Sequence, residues 1–330
     1  MRRQMPHFRL GRVRHRLLMQ LAVLLLGCLS PQVIWGQVNS GFNGKRAFSY
    51  LETICAIGPR ISGTPGMQKQ QSLLENHFRE LGGDVRIQEF DVPHPQTGQP
   101  VRMGNLIVQW FPEAEERILL CCHYDTRPFP DQETSPALRA MPFIGANDGA
   151  SGVALLMELG HYLSEFKKSN PGSTLGIDLV FFDGEELVYR QGDKYFWGSE
   201  YFAQQYRDRT PQAFRYRNGV LLDMVAAKGA RFFMEVNSLK DAPEVTRSLW
   251  RVASKLGVRE FIAQKKHEVL DDHIPLNRIA KIPTCDVIDF DYPHWHRRND
   301  LPAACSAETL GKVGRVMVGW IEFNANSTGR

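Results

Sequence analysis

Seven side chains in this 330-residue chain are of the types that do chemistry, and they fall at telling places: His123, Asp125, Asp148, Glu185, Glu186, Asp223 and His296. All but Asp148 come just after an apolar run that reads as a buried strand, or in the loop beyond one. Charged groups in such positions are costly unless paired, because an isolated charge in an apolar interior loses its hydration without return. A metal ion would reconcile carboxylates and imidazoles drawn to one rim. Zinc accepts carboxylate oxygen and imidazole nitrogen, and a catalytic zinc keeps one position open for water or substrate. Asp148, Glu186 and His296 can supply three such ligands. His123 and Asp223 can hold a second ion, with Asp148 bridging, and Asp125 can orient His123 through its other nitrogen. Of the adjacent pair Glu185 and Glu186, one can ligate while its neighbour points elsewhere as a general base. Taken singly, each residue has a plainer reading: Asp148 as a helix cap, His123 as a satisfied core histidine, Glu185-Glu186 as a solvated loop pair.

The elements around these residues predict an α/β fold. Helices are expected over Gln68–Leu81, Ala150–Phe166, Gly198–Tyr206, Pro243–Leu256 and Ala307–Phe323, from apolar residues spaced by three and four. Strands are expected at Val85–Phe90, Asn105–Phe111, Ile118–Cys122, Leu175–Phe182, Val220–Leu222, Arg231–Val236 and Thr284–Ile288. Residues 38–67 read as an irregular approach segment, and Thr126–Asn147 as a long loop bordering a site. Continuous apolar strands alternating with helices imply a mixed, mostly parallel central sheet covered on both faces, in a single globular domain. Functional residues of such folds gather beyond the carboxyl ends of the strands.

The net charge of +4 is misleading, because residues 1–36 carry six arginines and no acid. The remainder holds 34 basic and 36 acidic residues, with no basic patch of the kind nucleic acid requires. Residues 1–36, with their apolar core Leu17–Leu29, read as a signal peptide or export leader ahead of a catalytic domain at 37–330. Cleavage after Gly36 frees a protein beginning at Gln37. Cleavage after Gly27 leaves Cys28 as the first residue and as a lipid anchor. Either implies export, to a bacterial periplasm or beyond the cell. The apolar core is shorter than the ~20 residues of a spanning helix, and no other segment qualifies. Cys55, Cys121, Cys122, Cys285 and Cys305 follow no disulfide-scaffold spacing, and Cys121 and Cys122 should face opposite sides of one strand. Arg127 and Arg190 read first as solvated loop residues and second as carboxylate binders.

His123-Tyr124-Asp125, Gly145-Ala146-Asn147-Asp148-Gly149-Ala150-Ser151-Gly152, Phe181-Phe182-Asp183-Gly184-Glu185-Glu186 and the late His296 together resemble the co-catalytic zinc aminopeptidase superfamily. The likeness runs from about Phe48 to Phe323. Within it, Asp271-Asp272-His273-Ile274-Pro275-Leu276, Leu221-Leu222-Asp223-Met224-Val225 and Tyr292-Pro293-His294-Trp295-His296 look like the glutaminyl-peptide cyclotransferase branch. That resemblance implies one zinc on Asp148, Glu186 and His296, with Glu185 as proton shuttle. It further implies that Asp223 and Asp272 form a hydrogen-bond network behind the substrate and that Trp295 walls the pocket. The substrates implied are peptides or proteins with N-terminal glutamine, cyclised to pyroglutamate with release of ammonia. The rival enzyme reading is a dizinc aminopeptidase that also uses His123 and Asp223. A third reading is a peptide-binding ectodomain without turnover.

Overall fold

The computed structural model describes residues 41–209 and 213–326. The expectations for the leader and Cys28 lie outside them. In chain order the elements are α1 (Gly44–Cys55), α2 (Pro65–Glu80), β1 (Asp84–Pro93), β2 (Pro100–Trp110), β3 (Glu116–His123), α3 (Pro136–Arg139), α4 (Ala150–Ser169), β4 (Leu175–Phe182) and α5 (Trp197–Asp208). They continue with β5 (Arg215–Asp223), β6 (Phe232–Met234), α6 (Val236–Asp241), α7 (Pro243–Lys255), β7 (Phe261–Lys265), α8 (His273–Arg278), β8 (Thr284–Ile288) and α9 (Ala307–Ala325).

Six strands form one sheet in the order β1-β2-β4-β3-β5-β8. β1, β2 and β4 pair antiparallel, whereas β4, β3, β5 and β8 run parallel. The sheet is therefore mixed and mostly parallel, as expected. Every residue of β4 is buried, the signature of a strand covered on both faces. Alternation along β3 sorts its side chains cleanly. Ile118, Leu120 and Cys122 enter the larger core with residues of α1, α2, α4, α7 and α9. Leu119 and Cys121 enter a smaller one with Phe202 and Ala203 of α5 and Leu276 of α8. The adjacent cysteines thus face opposite sides, and all five cysteines among the described residues are buried free thiols.

One expected irregular stretch is in fact helical. α1 lies inside residues 38–67, where the Asn43 side chain caps it by accepting from the backbone N–H groups of Lys45 and Arg46. Its buried residues Ala47, Leu51 and Ile54 recur at helical spacing and dock on α4 and α9. Gly152 lets α4 come down on the sheet: a Cβ there would lie 2.5 Å from the Leu222 carbonyl oxygen and 2.6 Å from Cys122 Cβ.

The two ends of the parallel strands differ in charge. At the amino end, fully buried Arg117 pairs with fully buried Asp178 and donates to the carbonyls of Phe111 at 2.7 Å and Trp110 at 3.0 Å. Tyr216 donates its hydroxyl to the same aspartate. That charge is satisfied in place. At the carboxyl end, β3 finishes at His123 and β5 at Asp223, and the loops after β4 and β8 carry Glu185, Glu186 and His296. The chain leaves β3 for β4 on one side and later reaches β5 on the other, so His123 stands where the strand order reverses.

Glu235 secures the segment that carries Asp271 and Asp272. Its carboxylate caps α6 through Asn237 N at 2.8 Å and Ser238 N at 2.6 Å, and accepts from Val269 N at 3.0 Å. Burial alone would raise its pKa, but His273 and these three N–H groups outweigh burial and lower it from 4.5 to about 2. A depressed acid stabilises the fold above its unfolded pKa and stops doing so as pH falls through the folded one. Glu235→Gln should therefore lose about 3 kcal/mol at neutral pH. In denaturant titrations the gap to the unchanged chain should narrow as pH falls from 4.5 toward about 2.

Candidate active site

The loop before α4 aims Asp148, and buried charges grip it from both sides. Arg60, fully buried, donates to the carbonyls of Ile144 at 2.8 Å and Gly145 at 3.1 Å. Asp300 accepts from Asn147 N at 2.8 Å, Asp148 N at 3.0 Å and the Tyr292 hydroxyl at 2.7 Å. Ala226 N donates to Asn147 Oδ1 at 2.8 Å, which ties the loop to the end of β5. Gly149 has φ +98°, and a Cβ on it would lie 2.9 Å from the Asp125 carbonyl oxygen. Only glycine serves there without strain.

Asp148 then stands between two imidazoles. Its Oδ1 is 3.2 Å from His123 Nε2, and its Oδ2 is 3.4 Å from His296 Nε2. His123 Nε2 is also 3.2 Å from Asp223 Oδ1, and His296 Nε2 is 3.1 Å from Glu186 Oε1. Two triads result, His123-Asp148-Asp223 and Asp148-Glu186-His296, and the donor atoms of each lie within 4.8 Å of one another. Asp148 Oδ2 is buried and has no hydrogen-bond partner. Oxygen and imidazole nitrogen converging on a small volume, with an orphaned carboxylate oxygen among them, is a donor set that fits zinc. His296 reaches it with φ +53°, a left-handed conformation that tertiary contacts must hold.

Around the donors lies a second layer of contacts. Asp125 accepts from Glu185 N at 3.2 Å and Glu186 N at 2.9 Å, fixing the loop after β4. It stands 3.7 Å from His123 Nδ1, beyond hydrogen-bond reach, and that nitrogen has no partner. The two are nevertheless at ion-pair distance, so Asp125 faces His123, as the sequence suggests, and also shapes the glutamate loop. Asp131 Oδ1 is 3.0 Å from His296 Nδ1. Arg127, expected at the surface, is buried and donates to Glu186 Oε2. Arg190 does lie exposed, beside Asp193.

The electrostatics separate the two glutamates. Burial raises the pKa of Glu185 well above the ordinary value, and the charge of Glu186 adds to this. Burial also acts on Glu186, but Arg127 and His296 overcome it and hold that group well below the ordinary value. Neighbours in sequence thus become a proton-holding acid and an anion. Burial would lower the pKa of His296, yet Glu186 and Asp131 raise it to about 9. Asp223 is raised chiefly by burial, in spite of His123.

Asp272 and its neighbour Asp271 are both buried. Asp272 accepts from Ser199 Oγ, and burial lifts its pKa to about 7. Asp271 is raised well above the ordinary value by burial and then by the charge of Asp223, ahead of that of Asp272. Trp295 stacks on His296 with ring centroids 3.9 Å apart, and Phe290 packs against it at 5.4 Å. Asp131 and Asp300 have no counterpart in the sequence expectations, because each acts through a contact that no local spacing reveals, and Asp271 enters there only as a motif member without a role.

The profile of Peptidase family M28 matches residues 105–321. The crystal structure of Fimbriiglobus ruber glutaminyl cyclase is similar to the chain with 46% identity and a TM-score of 0.80, covering 85% of this chain and 95% of that one. A Zn-dependent exopeptidase from Parabacteroides distasonis is similar with 30% identity and a TM-score of 0.77, covering 84% and 97%. The glutaminyl-peptide cyclotransferase of Drosophila melanogaster is 29% identical over 279 residues, 78% of this chain and 75% of the relative.

The Asp300 carboxylate bonds to the main chain of the Asp148 loop and to the Tyr292 hydroxyl, and to none of the donor atoms. Asp300→Ala should leave a folded protein that retains less than half of its zinc against an equimolar chelator that does not strip the unchanged chain. Losses of about 10–100-fold in affinity are usual when outer contacts of metal ligands are removed.

Proposed function

The chain belongs to peptidase family M28, in the branch that holds the glutaminyl cyclases, and on that premise we propose that it is a glutaminyl-peptide cyclotransferase. The reaction is intramolecular acyl transfer that closes N-terminal glutamine of a peptide into pyroglutamate and releases ammonia. The observation that carries the machinery is the convergence of Asp148, Glu186 and His296 on one small volume, with the buried Glu185 next to Glu186 in the same loop. Zinc bound by Asp148, Glu186 and His296 would polarise the γ-carbonyl and steady the negative charge that develops on its oxygen.

Glu185 takes a proton from the α-amine as that nitrogen attacks the carbonyl carbon of the side-chain carboxamide (Cδ), closing the five-membered lactam. It then returns the proton to the amide nitrogen, which leaves as ammonia. Asp223, Asp271 and Asp272 are buried carboxyl groups that would accept from the amine and amide N–H groups. Trp295 supplies the flat wall against which the glutaminyl side chain lies. Because the nucleophile is already attached to its target, holding both in line supplies much of the rate.

Asp148 presents one oxygen to each triad, and this favours a second reading, a dizinc aminopeptidase with His123 and Asp223 on the second ion. Our reading takes one zinc, in the triad that contains Glu186. Among the described residues no helix is long and apolar enough to cross a membrane. We place residues 37–330 as the catalytic domain of an exported protein, with Cys28 a candidate lipid anchor.

A Gln-initiated peptide incubated with the full chain should yield ammonia and a blocked peptide of unchanged length, with zinc near one per chain. Free glutamine, a shortened peptide and two zincs per chain would establish the hydrolase instead. Glu185→Gln should cost about 10²–10⁴ in kcat while zinc content stays the same. Full activity in that variant would remove Glu185 from the mechanism. A raised pKa means that the base form of Glu185 is lost as pH falls through that raised value. The acid limb of kcat/KM should therefore lie above the ordinary glutamate pKa of 4.5 and vanish in Glu185→Gln.

A further inference from the structure

Arg127 and Asp131 sit four residues apart in the loop after β3, and together they span two of the three proposed zinc ligands. Arg127 Nη1 donates to Glu186 Oε2, Nε to Asp131 Oδ2 at 3.0 Å and Nη2 to the Tyr195 hydroxyl at 3.1 Å. The other oxygen of Asp131 is 3.0 Å from His296 Nδ1. The contacts run Glu186, Arg127, Asp131, His296, and each ligand is held by the atom turned away from the metal position. The inward atoms, Glu186 Oε1 and His296 Nε2, stand 3.1 Å apart at the other end of the ring. Arg127 and Glu186 are buried, while Asp131 keeps 29% of its side-chain surface exposed.

We propose that Arg127 and Asp131 act as one positioning clamp, which presets Glu186 and His296 for a single zinc and leaves Glu186 only one oxygen for it. The inference rests on the zinc assignment made above. A guanidinium alone beside the site would repel a cation, but Asp131 balances it, so the pair supplies geometry without net charge. By accepting at Nδ1, Asp131 fixes the tautomer that leaves the Nε2 lone pair facing inward. The planar fork of Arg127 meets three partners at once, which a single ammonium does not. His296 has an unfavourable backbone conformation and gains most from such a tie.

The test is the zinc dissociation constant of the full chain, measured by chelator competition, for Arg127→Ala, Arg127→Lys, Asp131→Ala and the double alanine variant. Each single alanine variant should bind zinc about 10–100-fold more weakly. Arg127→Lys should recover only part of the loss. The double variant should lose little more than the worse single one, since both break the same chain of contacts. With cobalt in place of zinc, the visible absorption of the alanine variants should shift, a change that a role in folding alone does not produce. A single-variant loss under tenfold, full recovery with lysine, losses that multiply in the double variant or an unmoved cobalt spectrum would each overturn the clamp. No turnover enters these readouts, so the clamp can fail while glutamine cyclisation stands, and the reverse.

Discussion

Too many carboxylates share one buried rim for the protein to satisfy them alone, and the carboxyl end of the sheet is built around that constraint. Asp148, Asp223, Glu185, Glu186, Asp271 and Asp272 are all buried there, with two imidazoles among them. At the opposite end a single aspartate, Asp178, has its own arginine and tyrosine. The contrast is informative, because the same sheet shows what a purely structural buried acid looks like. The rim instead leaves Asp148 Oδ2 without a partner and pushes several carboxyls toward their protonated forms. A divalent cation resolves this conflict far better than protons do.

The surrounding fold spends its rigidity on loops more than on strands. Parallel strands end together, but a strand end is too coarse to fix a carboxylate oxygen. Precision comes from main-chain N–H groups caught by other acids: Asp300 holds Asn147 and Asp148, and Asp125 holds Glu185 and Glu186. Each anchoring acid is buried and accepts from the main chain of the very residues whose side chains do the chemistry. Removing a ligand and removing its anchor are therefore different perturbations, the first chemical and the second geometric.

Much of this was legible in the chain. β4 and β8 were predicted to the residue, because short apolar runs bounded by turn residues leave little choice. The residues that form both triads were readable as residue types at strand ends, and the motif resemblance assigned them roles. α1 was hidden because the glycines and prolines of the following turn dominate that region, while its cap, Asn43, is visible only once Lys45 and Arg46 fold back on it. Arg127 was misjudged for a related reason. An arginine in a polar, proline-rich loop reads as solvated, and only the tertiary fold brings Glu186 to it. The same holds for Asp271, which the sequence does not distinguish from Asp272.

His296 and Asp300 follow the last strand of the main sheet, and β8 forms its edge. The triad with Glu186 thus lacks His296, and the Asp148 loop lacks its anchor, until the segment after β8 has been made. During synthesis, then, the catalytic centre stays incomplete until Asp300 has been made, after β8 and ahead of α9. A growing chain can bury much of its apolar core while its acids still face water, where they are harmless and hydrated. A product cut short before His296 would keep, of the two triads, at most His123-Asp148-Asp223, and would lack the anchor of the Asp148 loop.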